Sequence, residues 1–318
     1  MKTARPDLFH PRIVFAGCPA LPDGDGDDAG LVGALRRRGL HARWLSWDDP
    51  AALEADLVIL RAAWDYTERL DEFLAWTRRV PRLLNSADVV AWNTDKRYLA
   101  DLAGAGVPTV PSRFIAPGQR FELPEGVLAR GGEIVVKPAV GAGSSGALRF
   151  SERAPARAHA AMLQAYGHTV LVQPFDPRVE EGETALVFLG GAASHAFTKG
   201  PILPPPGGAP MFDESGTYAQ ERLSPAEPDF ELWDLGHAAL STAAAHLGIA
   251  VTELLYARVD VIGGPEAPVL LELELVEPSL GWRQLDEASR LRQQRVFALG
   301  VESALERFGL GPLSHRRP

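Results

Sequence analysis

Short apolar runs alternate with helical periodicities through the first part of the chain. Residues 12–17 (RIVFAG) are too few for a helix and end on glycine, so they read as a buried strand. The polar loop at 21–30 (LPDGDGDDAG) leads into a helical pattern that runs through Arg38 and stops at Gly39. Residues 42–47 and 57–61 read as further strands, followed by a helix over 70–80. Strands alternating with helices predict an open, Rossmann-like α/β domain over residues 1–90.

Farther along, strands cluster between helices. That pattern predicts α+β subdomains, one over residues 91–175 and one over 176–318. A helix is expected to start near Asn93, with Asn93, Thr94 and Asp95 as caps, and to end at Gly104 or Gly106. Strands are expected at 110–115, 133–137, 147–150, 169–173, 184–189 and 194–198, and helices at 156–165, 229–247 and 287–299. Residues 201–228 hold many prolines and glycines with little periodicity, and a loop that long inside a compact domain suits a lid. No internal repeat is visible.

The stretch 251–280 (VTELLYARVDVIGGPEAPVLLELELVEPSL) carries the strongest chemical signal. Two strand-like runs fold back through Gly263, Gly264 and Pro265. Side chains alternate along a strand, so Arg258 and Asp260 share one face of the first run, and Glu272 and Glu274 share one face of the second. Pairing Asp260 opposite Glu272 brings Arg258 opposite Glu274. Like charges across a ladder destabilise it. Either a cation joins the three carboxylates, and hard oxygen ligands select Mg2+ or Mn2+, or the face is simply solvated.

Composition narrows the field. A chain of 318 residues suits two or three packed subdomains. At 46% hydrophobic and 23% charged residues it is expected to be soluble and globular. A net charge of −9 argues against a nucleic-acid partner. Cys18 is the single cysteine, which excludes an internal disulfide and a zinc knuckle. The apolar stretch 13–16 is too short for a signal segment and no run is long enough to span a bilayer, so no membrane partner and a cytoplasmic location are expected.

Lys137 ends the apolar run EIVVKP and directly precedes the glycine loop GAGSSG, with Gly141, Gly143, Ser144, Ser145 and Gly146. An ammonium beside backbone N–H groups freed by glycines suits a polyphosphate, although such a loop is equally a simple connector. It is not a P-loop, and no GxGxxG follows a strand into a helix. Taken with WNTDK (92–96), LVQPF (171–175) and the acidic hairpin, in that order, the chain resembles the ATP-grasp superfamily over roughly residues 90–280. Within it, the chain is most similar to the glutathione-synthetase-like enzymes and to the cyclo-ligases of cycloserine biosynthesis, which close O-ureido-serine. RIVFAGCPALPDGDGDDAG, RAAWDYTERLDEFLAW, WNTDKRYL and LELELVEPSL carry that closer resemblance.

The resemblance implies a pre-ATP-grasp domain followed by a two-subdomain ATP-grasp fold, with ATP and Mg2+ (or Mn2+) as cofactors. It implies that Lys96 and Lys137 contact the nucleotide phosphates beneath the glycine loop, that Gln173 and the backbone near Phe175 hold adenine, and that Glu180 or Glu183 binds ribose. Lys199 and Arg258 would act on the transferred phosphoryl group, and Asp260, Glu272 and Glu274 would ligate the metal. Many relatives have Asn where this chain has Glu274. The implied reaction is carbon-nitrogen ligation of an amino-acid-like carboxylate through an acyl phosphate, in its sharpest form an intramolecular cyclisation. The alternatives are a small-molecule kinase, a peptide-forming ligase of the glutathione-synthetase type, or a nucleotide binder without catalysis. A small-molecule substrate is the expected partner, and a homo-oligomer is compatible with the sequence.

Several residues leave two readings open. The spacing Asp23, Asp25, Asp27 imitates a calcium loop, but Asp28 and Ala34 stand where that loop needs Gly and Glu. Asp27 and Asp28 either favour a helix N-terminus through its dipole or bind a substrate ammonium. Arg61, Trp64 and Asp65 follow a strand, at the usual ligand edge of an open α/β sheet, where Arg61 either pairs with a substrate carboxylate or packs. His195 shares a face with Lys199 and is either catalytic or structural. Trp282 and Arg283 follow the hairpin and either line a pocket or, for Trp282, fill the core.

Overall fold

The computed structural model describes residues 10–123, 127–128, 131–212 and 221–310. The first layer is a parallel sheet of order β2-β1-β3-β4, from β1 (Arg12–Gly17), β2 (His41–Ser46), β3 (Leu57–Ala62) and β4 (Leu83–Leu84). All of β3 is buried, as a parallel strand covered on both faces must be. Ile13, Phe15, Leu57 and Ile59 pack with α1 (Leu31–Arg36) and α7 (Glu287–Arg307) on one side. Val14, Ala16, Val58 and Leu60 pack with Trp47, Tyr66 and the α2 (Leu70–Arg79) residues Phe73 and Trp76 on the other. The closing helix thus returns to the first layer and runs longer than its pattern suggested.

Two short helices, α3 (Ala87–Asn93) and α4 (Tyr98–Gly104), replace the single helix expected from Asn93. Ser86 caps α3, accepting from Val89 N, so the cap lies seven residues upstream of the one expected. Asn93 instead ends that helix with a buried amide that donates to Leu273 O and accepts from Leu275 N. Through these bonds, and through Val89, Tyr98, Leu99 and Leu102, the pair is fastened to the third sheet described below.

The second sheet has the order β5-β8-β6-β7 and is antiparallel: β5 (Arg113–Ile115), β6 (Ile134–Pro138), β7 (Leu148–Phe150) and β8 (Val170–Pro174). Helix α5 (Arg153–Ala165) covers it through Ala156, Ala160 and Leu163. The third sheet, β11-β10-β9-β12-β13, joins β9 (Glu183–Leu189), β10 (Ala192–Lys199), β11 (Leu223–Ala226), β12 (Tyr256–Ile262) and β13 (Val269–Glu274) in antiparallel pairs. Strand β11 falls within the stretch read as irregular. It tolerates Pro225 because it is an edge strand with one side unpaired.

Period-2 alternation divides the third sheet, with register shifts between Ala193 and His195 and between Asp260 and Val261. Leu186, Phe188, Val259 and Val261 face α6 (Phe230–Leu247), where Gly236 lets the helix approach: a Cβ there would stand 2.8 Å from Phe188. The opposite face is apolar at one end, with Val187, Phe197 and Tyr256 packed toward the first layer. At the other end it carries Glu183, Lys199, Arg258, Asp260, Glu272 and Glu274. The fold sets that charged end against the second sheet.

Candidate active site

Between the second and third sheets lies a cavity of about 650 Å³ whose walls include Lys96, Lys137, Gly141, Gly143, Ser144, Ser145, Gln173, Phe175, Glu183, Lys199, Arg258, Glu272 and Glu274. Gly146 closes the loop just outside the lining. The loop turns through left-handed conformations at Gly143 (φ 58°), Ser144 (φ 61°) and Gly146 (φ 69°), which keeps its backbone against the opening. Ile202, Leu203, Glu221, Arg222 and Leu223, from the stretch expected as a lid, also line the cavity, while residues 213–220 of that stretch lie outside the described residues.

The hairpin register is the one alternation predicts, with Arg258 opposite Glu274 and Asp260 opposite Glu272. The carboxylates converge, and the chain's own lysines and arginine stand between them. Asp260, wholly buried, accepts from Arg258 Nε at 2.8 Å and Nη2 at 3.0 Å and from Lys199 Nζ at 2.9 Å. Arg258 also reaches Glu274, and Lys199 lies 3.2 Å from Glu183. Lys96 Nζ donates to Glu272 at 2.7 Å and to Gly141 O at 2.7 Å, tying the glycine loop to the hairpin.

These pairings set the ionisation of each group. Burial pushes the Glu272 carboxyl up, but Lys96 and Lys137 outweigh it and hold the group at about 2. Burial, then Asp260 and Glu272, pushes Glu274 up to about 8 against the pull of Arg258. Among the described residues no three His, Cys, Asp or Glu side chains form a ready cation cage. The donor set nonetheless suits Mg2+: hard carboxylate oxygens, one of them short of positive charge, at a place where Lys96 and Arg258 now serve as counter-ions.

Lys137 stands apart. Burial, reinforced by Lys96 and Lys199, pushes its ammonium pKa down, and among the described residues its Nζ makes no ion pair or hydrogen bond. A phosphate would relieve that cost. Gln173 is buried and anchored to Ser112 Oγ at 2.9 Å. Phe175 is stacked by the Arg149 guanidinium 3.4 Å from the ring centroid. Of the two glutamates left open for ribose, Glu183 lines the cavity, whereas Glu180 lies outside the lining and pairs with Arg149 at 2.9 Å. Asp176, which the sequence did not single out, lines the cavity beside Phe175.

The N-terminal candidates divide. Trp64, Asp27 and Arg283 line the cavity. Asp27 accepts from the backbone N–H of Trp282 at 3.2 Å and of Arg283 at 3.0 Å. Gly30 stands at the N-cap of helix α1 with no side-chain bond, so neither Asp27 nor Asp28 caps it. Arg61 and Asp28 do not reach the cavity. They form a buried pair at 2.7 Å, completed by Trp282 Nε1 on Asp28 at 2.9 Å and by Arg61 Nη2 on Pro278 O at 2.7 Å. Asp65 is taken by Trp47 Nε1 at 2.8 Å. His195 bonds Leu280 O at 2.7 Å and Ser194 Oγ at 2.8 Å, away from the lining, so it supports the loop before Trp282. Trp282 itself is core. Gly281 makes that loop, with φ 65° and no room for a Cβ, which would sit 2.4 Å from Phe197.

Three sheets closing a lysine-lined cavity under a glycine loop define an ATP-grasp ligase, a class of carbon-nitrogen ligases that use ATP and Mg2+. Residues 13–85 match the family profile described as the N-terminal domain of D-cycloserine synthetase DcsG. Cycloserine biosynthesis protein DcsG of Streptomyces lavendulae is 38% identical over 273 residues, 80% of this chain and 88% of that protein. The chain belongs to the DcsG family. A crystal structure of D-cycloserine synthetase DcsG matches it with a TM-score of 0.78 at 32% identity, covering 92% of this chain and 99% of that one. D-alanine–D-alanine ligase from Bacillus anthracis, crystallised with ATP, shares the fold with a TM-score of 0.64 at 15% identity, over 95% and 100% of the two chains. No helix among the described residues is long and apolar enough to cross a membrane.

Proposed function

We propose that this chain forms cycloserine, by ATP-dependent closure of an O-ureido-serine-type amino acid through an acyl phosphate. The observation that carries the reading is the charged face of the third sheet, which brings Glu183, Lys199, Arg258, Glu272 and Glu274 to one cavity with Lys137 and the glycine loop, while Asp260 stays outside the lining, bonded to Arg258 and Lys199. The substrate carboxylate oxygen attacks the terminal phosphorus of ATP and ADP leaves. The nitrogen bound to the side-chain oxygen of the same substrate then attacks the acyl carbon, forming the ring bond and expelling phosphate, and the carbamoyl group that this nitrogen carries is lost by hydrolysis as carbon dioxide and ammonia. Lys96 and Lys137 hold the nucleotide phosphates, Gln173 and the backbone near Phe175 hold adenine, and Lys199 and Arg258 face the phosphoryl group in transit. Glu183 is the better placed of the two glutamates to reach the nucleotide. Asp260, Glu272 and Glu274 would hold Mg2+, which neutralises charge on the phosphoryl oxygens when bound. No nucleophilic side chain is required. We further propose domain limits at residues 90 and 175, which separate the members of the three sheets.

Hydroxylamine distinguishes a ligase from a kinase. Orienting both reacting groups within one molecule is worth about 7 to 11 kcal/mol of barrier. O-ureido-serine should therefore release ADP and give ring product with little hydroxamate, while an analogue lacking the internal nitrogen should give abundant hydroxamate. Mass analysis reads both. A stable phosphorylated product with no new carbon-nitrogen bond would establish the kinase reading instead.

Lys137→Ala should weaken ATP and ADP binding by about tenfold or more, because it deletes a charge-assisted contact to phosphate in a buried site. Calorimetric titration checks this. Unchanged affinity would move the phosphates away from the end of β6.

A further inference from the structure

The carboxylates of the charged face each have a lysine or arginine within ion-pair distance: Glu183 and Asp260 have Lys199, Glu272 has Lys96, and Glu274 has Arg258. Glu277 is different. It lines the same cavity and is only 8% exposed, yet among the described residues no lysine or arginine comes within ion-pair distance of it. Its polar neighbour is the neutral phenol of Tyr66, itself buried and in the cavity wall, which pulls the Glu277 pKa down. Burial pushes the Glu277 carboxyl up to about 7, against the pull of Tyr66 and the more distant pull of Lys96 and Arg258. A buried carboxylate with only a neutral donor is costly unless a cation reaches it.

The surroundings say which cation. Glu277 stands three residues beyond Glu274, on the segment that leaves the charged hairpin. Ser279, two residues farther on, lines the cavity and donates to Asp27 at 3.3 Å, while its carbonyl accepts from Arg258 at 3.0 Å. Glu277 is therefore adjacent to the place where phosphoryl transfer to the substrate carboxylate is proposed, but on its N-terminal-domain side. An α-amino acid carries its ammonium one carbon from its carboxylate. Asp27 offers less, because backbone N–H groups already occupy both of its oxygens.

We propose that Glu277, steadied by Tyr66, binds the α-ammonium of the amino-acid substrate and makes the enzyme selective for it. This rests on the ligase reading above. The test measures binding, not turnover: calorimetric titration of O-ureido-serine and of its analogue with hydrogen in place of the α-amino group, in the presence of Mg2+ and a non-hydrolysable ATP analogue. The wild-type enzyme should prefer the amino compound by about tenfold or more, the usual scale for a charge-assisted contact. Glu277→Gln should bring the two affinities within a few-fold by weakening the amino compound alone, leaving affinity for the ATP analogue unchanged. Tyr66→Phe should narrow the preference partway, and it carries the test if Glu277→Gln does not fold. The proposal is wrong if the wild type shows no preference, if the preference survives in the variants, or if both compounds weaken equally. A wild type that discriminates but never closes a ring would instead sink the ligase reading alone.

Discussion

Glu272→Gln should slow turnover by about three orders of magnitude while ATP still binds within a few-fold of wild type. The lysines proposed to hold the nucleotide remain, although Lys96 loses its carboxylate partner, whereas a carboxylate proposed to serve the phosphoryl group in flight is lost, and such groups act mainly on the transition state. Glu272 is a cleaner probe than its ladder partner. Its side chain is 22% exposed and, among the described residues, has Lys96 as its one ion-pair partner, and Lys96 keeps Gly141 O as a second acceptor. Asp260 is wholly buried and holds both Arg258 and Lys199. Asp260→Asn would remove the buried carboxylate that Arg258 and Lys199 share and leave them only Glu274 and Glu183 beside it, so lost activity there would be confounded with lost folding. Single-turnover kinetics with a parallel thermal melt separates the two. A Glu272→Gln enzyme that folds normally and turns over near the wild-type rate would remove Glu272 from the chemistry.

The parts of this site that were legible in the sequence are those governed by local geometry. A strand's period of two placed Arg258 with Asp260 and Glu272 with Glu274, but the pairs beside the turn, Ile262 with Val269 and Val261 with Leu270, would set Asp260 opposite Leu271, and it is a register shift between Asp260 and Val261 that brings Asp260 opposite Glu272. Lys137 at a strand end before glycines could be read for the same reason. Partnership across the fold could not. Arg61 looked like a ligand for a carboxylate, and it is one, but the carboxylate is Asp28, 33 positions away. Nothing in the spacing distinguishes that from a substrate. Asn93 looked like a cap because its type favours caps, yet its amide closes the edge of β13. Glu277 gave no periodic signal, since it lies past the end of β13, and only the cavity and the missing counter-ion reveal it.

Asp28→Asn should cost about 3 to 5 kcal/mol of stability, the usual penalty for removing one partner of a buried ion pair. Asp28 accepts from Arg61 Nε at 2.7 Å and from Trp282 Nε1 at 2.9 Å, and the two charged side chains are 4% and 1% exposed. Arg61 would be left charged in the core, because burial does not strip a guanidinium of its proton. Replacing both partners with apolar residues, as in Asp28→Leu with Arg61→Met, should recover much of the loss, since neither charge then needs solvation. Function would not follow stability in that recovery. Arg61 Nη2 donates to Pro278 O and Asp28 anchors Trp282, so the pair ties the first layer to the segment carrying Glu277 and Ser279. The double variant should therefore melt near the wild type yet bind the amino-acid substrate more weakly, with ATP affinity unchanged. Urea denaturation measures the first effect and calorimetry the second. A single Asp28→Asn variant that unfolds at the wild-type midpoint would show that the pair contributes little, and the segment would then have to be held chiefly by Asp27 and the packing of Trp282.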